Sequence, residues 1–364
     1  MRSLSAFAIA AAALAGRSET RSATASEGVI TVCDTKRRGS AHFLDNCLRR
    51  NRSATIAIHE RLAIWDRLRF LAFLDVASFH VTDRHVLSGF GLPTFLILTF
   101  ALGARHSLAP PTYEFVRARV KRLIVPWVVW SAILGLITAF RALRHHTPLD
   151  AVFNWHMLLY GTELHLWFLP AAAVGSVLAH LLDRVTQSVR TLPVLGGCFV
   201  LSAALLAIVR DLHLAYPFWK WMFALPAVPL GLALGRVLAR PAWHDPRASW
   251  TVVLISSFVM GALVLLGRGL STPFDSDPAV RYTLAMCLLA GGALLPNVPD
   301  TWTPRLERLL LGAYLLHKPI HDIITRLEHA ARVRLSPSWI VVAVVSLTLV
   351  VVAVLRRTPA RVVL

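Results

Sequence analysis

The stretch LIVPWVVWSAILGLITAF, residues Leu123–Phe140, carries no charged side chain and is long enough to cross a bilayer as one α-helix. Similar runs without Asp, Glu, Lys or Arg recur at Val86–Ala104, Leu164–Leu182, Leu192–Val209, Trp250–Gly267, Tyr282–Pro299 and Leu335–Leu355. The 364 residues are 56% hydrophobic and 16% charged, and their mean hydropathy of +0.59 is too high for a soluble chain. The sequence therefore predicts a polytopic integral membrane protein.

Three less regular segments add to these runs. Leu62–Val81 and Leu309–Thr325 contain ionisable residues, and the uncharged part of Phe218–Leu238 is short. Backbone polar groups must be paired internally in lipid, and the alternating ten-residue segments of a membrane barrel are missing from the sequence. We therefore predict an all-α fold, a polytopic integral membrane helical bundle of about ten transmembrane helices.

The distribution of basic residues indicates an orientation. Lysine and arginine are more frequent before the first span and in the loops after even-numbered spans than in the loops after odd-numbered spans. The positive-inside rule then places both termini in the cytoplasm of a multi-pass inner-membrane protein. The net charge of +18 is spread along segments that flank spans, so we expect the lipid bilayer and no nucleic acid as a partner.

The chain divides into three parts. We expect residues 1–60 to form a mobile, disordered cytoplasmic tail, residues 61–357 to form the membrane domain and residues 358–364 to form a short cytoplasmic C-terminus. Leu4–Ala15 imitates a signal segment, but export of the tail would place its many arginines outside the cell. We therefore interpret the tail as cytoplasmic.

Ionisable residues concentrate in the first and ninth spans, where burial of charge is costly and usually functional. Arg69 and His80 bracket ten residues of the first span, so they lie within about 20° of one helix face and about 16 Å apart along the axis. They cannot touch, but they can serve one ligand. Asp75 lies about 140° around the helix from His80, which favours a partner on a neighbouring helix. In the ninth span, the spacing of Lys318 and Asp322 predicts an intrahelical ion pair.

Several motifs in this order resemble membrane acyltransferase family 3, multi-pass proteins that acylate cell-surface sugars and related acceptors. The motifs are RFLAFLDVASFH from Arg69, SGFGLPTFLILTFALG from Ser88, RARVKRLIVPW from Arg117, HLWFLP from His165 and LGAYLLHKPI from Leu311. The resemblance extends from Arg61 to Arg357. One departure is Thr99-Phe100, where the family often has Ser-Gly, and it raises the question of how closely the helices pack there.

The resemblance implies an O-acyltransferase that moves an acyl group, most simply acetyl, from cytosolic acyl-CoA to a hydroxyl of a cell-surface or exported saccharide. Acyl-CoA is then a co-substrate, acetyl-CoA the simplest, and no bound cofactor or metal is expected. His80 would act as general base, since a neutral imidazole titrates near working pH, or as a nucleophile that carries the acyl group. Arg69, Arg119 and Arg122 would bind the CoA phosphates. Candidates for lining the pocket are Asp75, His165, Trp167 and His317.

Two other classes of function are compatible with a helical bundle. A secondary transporter or a lipid or glycan flippase also carries polar residues inside its bundle, but it predicts broken helices at paired positions of two repeats. The sequence shows no such symmetry. A non-catalytic scaffold leaves the concentration of polar residues in two spans unexplained.

Overall fold

The computed structural model describes residues 64–81, 89–105, 111–212, 214–238, 251, 253–262, 277–294 and 302–360. Within these ranges the secondary structure is helical and no β-strand occurs. The all-α membrane bundle predicted from the sequence is therefore confirmed. The predicted N-terminal tail, residues 1–60, and the last four residues of the predicted C-terminal segment lie outside the described residues.

The main helices are numbered in chain order. They are α1 (64–81), α2 (Gly91–Arg105), α3 (Thr112–Arg144), α4 (Leu164–Val185), α5 (Thr191–Asp211), α6 (Phe218–Leu238), α7 (Val253–Ala262), α8 (Asp277–Leu294), α9 (Thr303–Ala331) and α10 (Pro337–Leu355). Two short helices, Leu149–Val152 and Met157–Tyr160, lie in the connection between α3 and α4. Each predicted span overlaps one of these helices.

Five of the helices, α3, α4, α5, α6 and α10, are long and apolar enough to cross a membrane, whereas α2 and α7 are apolar but shorter. Many of the exposed side chains on these helices are large and apolar, such as Phe140, Val200 and Phe258. Exposed apolar side chains of this kind are expected on a surface that faces lipid. The count of ten spans remains a prediction.

Helices α2, α4 and α6 pack closely in the centre of the bundle. A Cβ atom on Gly231 of α6 would lie 3.0 Å from the carbonyl oxygen of Ile97, and one on Gly235 would lie 2.7 Å from that of Ala101. Only glycine fits at such a close approach of two backbones. Phe100, which is fully buried, also uses the space left by Gly231 and by Gly175 of α4. The phenylalanine at the departure from the family pattern is therefore accommodated by glycines on two neighbouring helices.

Asp75 connects α1 to the start of α2. Its carboxylate oxygen Oδ2 accepts a hydrogen bond of 2.8 Å from the backbone N–H of Gly91, the first residue of α2. The first N–H groups of a helix have no partner within the helix, and a carboxylate there is favourable to the helix dipole. Asp75 is 1% exposed, so this hydrogen bond is made in the interior. Its role in the described structure is to fix the relative position of two helices.

A buried ion pair joins α4 to α6. The Nε atom of Arg236 donates to Oδ1 of Asp183 at 2.7 Å, and its Nη2 atom donates to the Asp183 carbonyl oxygen and to Oγ1 of Thr186. Both charged side chains are about nine-tenths buried. The pairing satisfies each charge inside the bundle and holds α4 and α6 together.

Candidate functional site

A cavity of about 500 Å³ lies between α1, α2, α3, α4 and α9, within the usual size of a ligand-binding site. It brings together the three arginines that the sequence analysis assigned to a phosphate-bearing ligand, although they come from α1 and α3. The lining residues are Asp66, Arg69, Phe95, Thr99, Leu102, Arg119, Arg122, Leu123, Phe168, Ala172, Glu307, Leu310, Leu311 and Tyr314. We refer to it as the large cavity.

The local structure of α3 places two of these arginines at the large cavity. Pro126 has no N–H to donate to the carbonyl oxygen of Arg122, one turn earlier. The helix widens into a π-helical turn at Val120–Ile124, which contains Arg122. Directly before this turn, the guanidinium of Arg119 lies 4.8 Å from the centre of the Phe115 ring, a cation–π contact that restrains this side chain.

Arg69 lies in the large cavity between two carboxylates. Its Nη1 atom is 3.2 Å from Oδ1 of Asp66 and 3.1 Å from Oε1 of Glu307. Together with Arg119 and Arg122, the lining carries three cationic and two anionic side chains, which favours an anionic ligand. Sequence reasoning did not select Glu307, because a single glutamate near the start of α9 has no pattern of its own. Only the packing of α9 against α1 brings it to Arg69.

Three histidines from three helices form a cluster beyond the large cavity. The ring of His317 on α9 lies 5.0 Å from that of His80 on α1 and 5.7 Å from that of His165 on α4, measured between ring centres. His317 is fully buried and His165 is 4% exposed, while His80 is half-buried. The structure therefore unites His80, His165 and His317, which the sequence analysis selected separately from three motifs.

Backbone carbonyls determine which ring nitrogens of two of these histidines carry a proton. Nδ1 of His317 donates to the carbonyl oxygen of Tyr314 at 2.7 Å, because a carbonyl can only accept. His165 is hydrogen-bonded to the backbone of Leu315, whose carbonyl lacks its usual helical donor because Pro319 has no N–H. The Nε2 atoms of both rings are buried without a hydrogen-bond partner. Both neutral rings thus present an unprotonated Nε2 acceptor.

Tyr314 joins the large cavity to this histidine cluster. Its side chain lines the cavity, and its hydroxyl donates to the carbonyl oxygen of His165 at 2.6 Å. Its own carbonyl oxygen receives the Nδ1–H of His317. The position of α9 relative to α4 is therefore fixed at the point where both histidines are held.

A second cavity, of about 160 Å³, lies on the other side of the cluster. Its lining is rich in charge and consists of Leu134, Ile137, Arg141, Glu163, His165, Lys318, Pro319, Asp322, Ile323 and Arg326. The predicted ion pair within α9 is confirmed, since Nζ of Lys318 lies 2.8 Å from Oδ1 of Asp322. Burial and the nearby carboxylate of Asp322 raise the pKa of Glu163 above its ordinary value, and Arg141 and Lys318 partly oppose the rise. We refer to this space as the small cavity.

The two cavities are separated along shared helices. On α9, Tyr314 lines the large cavity and Lys318 lines the small cavity, and His317 falls in the single turn between them. On α3, Arg122 lines the large cavity and Arg141 lines the small cavity. These two residues are nineteen positions apart, which corresponds to about 29 Å along a helix, the thickness of a bilayer core. The histidine cluster therefore lies between two cavities that are displaced toward opposite ends of the bundle.

Asp75, Trp167 and His80 do not line either of these two cavities. Trp167 is buried, with Nζ of Lys220 located 6.0 Å from the centre of a ring. The Asp75 carboxylate accepts a hydrogen bond from the first residue of α2. In the described ranges, no group of three His, Cys, Asp or Glu side chains is arranged to hold a metal ion.

Comparison with known proteins gives one family. A family model described as an acyltransferase domain matches residues 62–357, which include all ten main helices. No curated protein and no solved structure matches the sequence. The matched region contains both cavities and the histidine cluster.

Proposed function

Because the chain belongs to acyltransferase family 3 and is a membrane acyltransferase, we propose that it moves an acyl group, most simply acetyl, from cytosolic acyl-CoA to a hydroxyl of a cell-surface or exported saccharide. His80 acts as the general base. The observation that carries this proposal is the position of the histidine cluster between an arginine-lined cavity and a second, smaller cavity. Such an arrangement suits a reaction whose two substrates arrive from opposite sides.

The large cavity has the chemistry of a donor site. Coenzyme A carries several phosphate charges, and the planar guanidinium fork of arginine binds phosphate oxygens with two hydrogen bonds. Arg69, Arg119 and Arg122 supply three such groups. Apolar side chains elsewhere in the lining, such as Phe95 and Leu310, suit the pantetheine arm and the acyl chain.

The chemical step needs little more than a base and a fixed geometry. The acceptor hydroxyl oxygen attacks the thioester carbonyl carbon while His80 takes its proton. Collapse of the tetrahedral intermediate breaks the bond between carbon and sulfur. The sulfur takes up the proton that His80 gained, so CoA leaves as the thiol. A variant of this route, in which His80 first carries the acyl group, uses the same residues.

The small cavity is the proposed acceptor side. Its charged lining and the unpartnered Nε2 of His165 offer hydrogen-bonding groups to a polyol. The basic start of α3 supports a cytoplasmic location for the large cavity, so we place both termini in the cytoplasm and the small cavity toward the outside. The lipid bilayer, acyl-CoA and a saccharide are then the three partners.

The test replaces His80 by glutamine, which can form hydrogen bonds but has no useful basicity. Transfer of radiolabelled acetyl groups from acetyl-CoA to membrane glycans should fall by about 10²- to 10⁴-fold, in membranes matched for protein level from a strain that lacks the native gene. Affinity for acetyl-CoA and thermal stability should change little. His329→Gln is the matched control, because His329 is exposed at the end of the same helix as His317. Normal transfer by His80→Gln would exclude His80 as base and as nucleophile.

A further inference from the structure

We propose that the small cavity selects an acceptor that carries an anionic group, a carboxylate or a phosphate, and that Arg141 and Arg326 bind this group. The inference rests on the proposed function, in which the small cavity receives the saccharide. It narrows the acceptor from any polyol to an acidic or phosphorylated glycan.

The charges in the lining of the small cavity do not balance. Three cationic side chains face two carboxylates there, those of Arg141, Lys318, Arg326, Glu163 and Asp322. Lys318 and Asp322 form an ion pair of 2.8 Å, and Arg141 acts electrostatically on Glu163 without forming one. In the described part of the chain, neither arginine is within ion-pair distance of a carboxylate. The lining therefore has one positive charge in excess.

The chemistry of arginine favours an anion over a neutral sugar as the ligand. A guanidinium group has only hydrogen-bond donors, which lie in one plane. A carboxylate or phosphate accepts two of them in parallel and balances the charge, whereas a hydroxyl does neither. Arg141 and Arg326 are exposed, so water can solvate both groups until a ligand enters. An acceptor that displaces this water restores the lost hydrogen bonds best with an anionic group.

Two common roles of exposed arginines do not account for both residues. An arginine in the last turn of a helix is favourable to the helix dipole, and Arg141 and Arg144 both lie in the last turn of α3. Of these two, Arg141 lines the small cavity. Arg326 lies five residues before the end of α9, outside its last turn. Under the proposed orientation both cavity arginines lie toward the outside, where the positive-inside rule disfavours them. Ligand binding accounts for both.

The two arginines are placed to hold an acceptor whose hydroxyl lies at the histidine cluster. His165 belongs to the cluster and also lines the small cavity. On α9, Lys318 follows His317 directly, and Arg326 is eight residues further on, about 12 Å along the axis. Side chains of a helix lean toward its N-terminus, which shortens the distance that Arg326 must span. The anionic group therefore belongs to the acylated sugar or to its neighbour.

The experiment uses acceptor glycans isolated from a strain that lacks the native gene, and purified protein in nanodiscs with acetyl-CoA. One portion of glycan is treated with carbodiimide and methylamine, which converts carboxylates to neutral amides. A second portion is treated with cold hydrofluoric acid, which cleaves phosphate esters. One treatment should lower kcat/KM for the glycan about tenfold, with little change in the KM for acetyl-CoA. The effective treatment identifies the anion as a carboxylate or a phosphate.

The variant that carries both Arg141→Gln and Arg326→Gln should show a similar loss with untreated glycan, and treatment should then add little, because the anion has no remaining partner. High salt should weaken the wild type more than this variant. Arg144→Gln is the matched control, since Arg144 is exposed one turn further along α3 and does not line the cavity. Thermal melting identifies a variant that does not fold, and the glycan treatments of the wild type then decide alone.

Two failures are distinguishable. If the wild type transfers acetyl groups equally well to all three portions of glycan, or if a treatment lowers kcat/KM equally in the wild type and the folded double variant, anionic recognition is refuted while the proposed function stands. Phospholipid headgroups would then be the ligands left for the two arginines. If the wild type transfers no acetyl group from acetyl-CoA to untreated glycan, the proposed function fails and this inference fails with it.

Discussion

Replacement of Glu307 by glutamine should strengthen the binding of acyl-CoA, whereas replacement of Arg69 should weaken it. Glu307 lies 3.1 Å from Nη1 of Arg69 and therefore occupies one side of the group that we assign to a CoA phosphate. A phosphate that binds Arg69 must come close to this carboxylate. The glutamine side chain has the same shape and no charge, so the repulsion is lost while the packing is kept.

The magnitude follows from the geometry. Two unit charges about 4 Å apart interact by about 4 kcal/mol at an effective dielectric constant near 20. The side chain of Glu307 is 38% exposed, so water and salt screen most of this repulsion, and exposed charge pairs typically amount to about 1 kcal/mol or less. We therefore expect a gain of about 1 kcal/mol, which is about a fivefold lower Kd.

The assay is isothermal titration of purified protein in nanodiscs with acetyl-CoA at low and high salt. The gain should be larger at low salt, because screening weakens the repulsion that the substitution removes. Glu163→Gln serves as the matched control, since it removes one carboxylate from the small cavity and none from the large one. An unchanged or weaker affinity in Glu307→Gln, with normal melting, would refute the assignment of Arg69 to a donor phosphate.

Three further predictions concern stability, measured by thermal or denaturant unfolding. Asp75→Ala removes the acceptor of the Gly91 N–H and should cost about 1 to 2 kcal/mol, whereas Asp75→Asn, which keeps an oxygen, should cost less. Arg236→Leu leaves the Asp183 carboxylate buried and unpaired and should cost about 3 to 5 kcal/mol, and adding Asp183→Leu should restore most of it; a double variant no better than the single one would contradict this. Burial raises the pKa of Glu163 in the folded protein above the usual 4.5, so the folded protein binds this proton more tightly than the unfolded chain does. The free energy of unfolding should therefore fall as pH rises from 4.5 through that raised pKa. Glu163→Gln should remove this fall, so its advantage in melting temperature over the wild type should grow above pH 4.5 and then level off; a constant advantage would argue against the raised pKa.

The helical class and the approximate positions of the helices could be predicted from the sequence because charge is excluded from lipid. Runs such as Leu123–Phe140 have one compatible structure in a bilayer, and each overlaps a helix. The π-helical turn before Pro126 was not predicted, since hydropathy does not report a local change of hydrogen-bond pattern.

The candidate site could be predicted in part. The helical spacing of Arg69 and His80 placed both on one face of α1, and in the structure Arg69 lines the large cavity while His80 lies against His317. The contact between α1 and α9 that brings Glu307 to Arg69 is tertiary and has no sequence signature. Trp167 was a candidate because it lies two residues after His165 in the same motif. In the structure His165 lines the small cavity and Trp167 does not, since residues two apart on a helix do not share a face.

Tyr314 imposes a constraint on any attempt to change the acyl chain that the enzyme accepts. Shortening its ring would enlarge the large cavity, but the same side chain carries the hydroxyl that holds the backbone at His165. Under the proposed function, in which the acyl chain occupies the large cavity, selectivity for the acyl chain and alignment of the histidines are therefore not independent at this residue. Thr99 and Leu102 line the same cavity from α2, so an enzyme engineered for longer chains is better sought there.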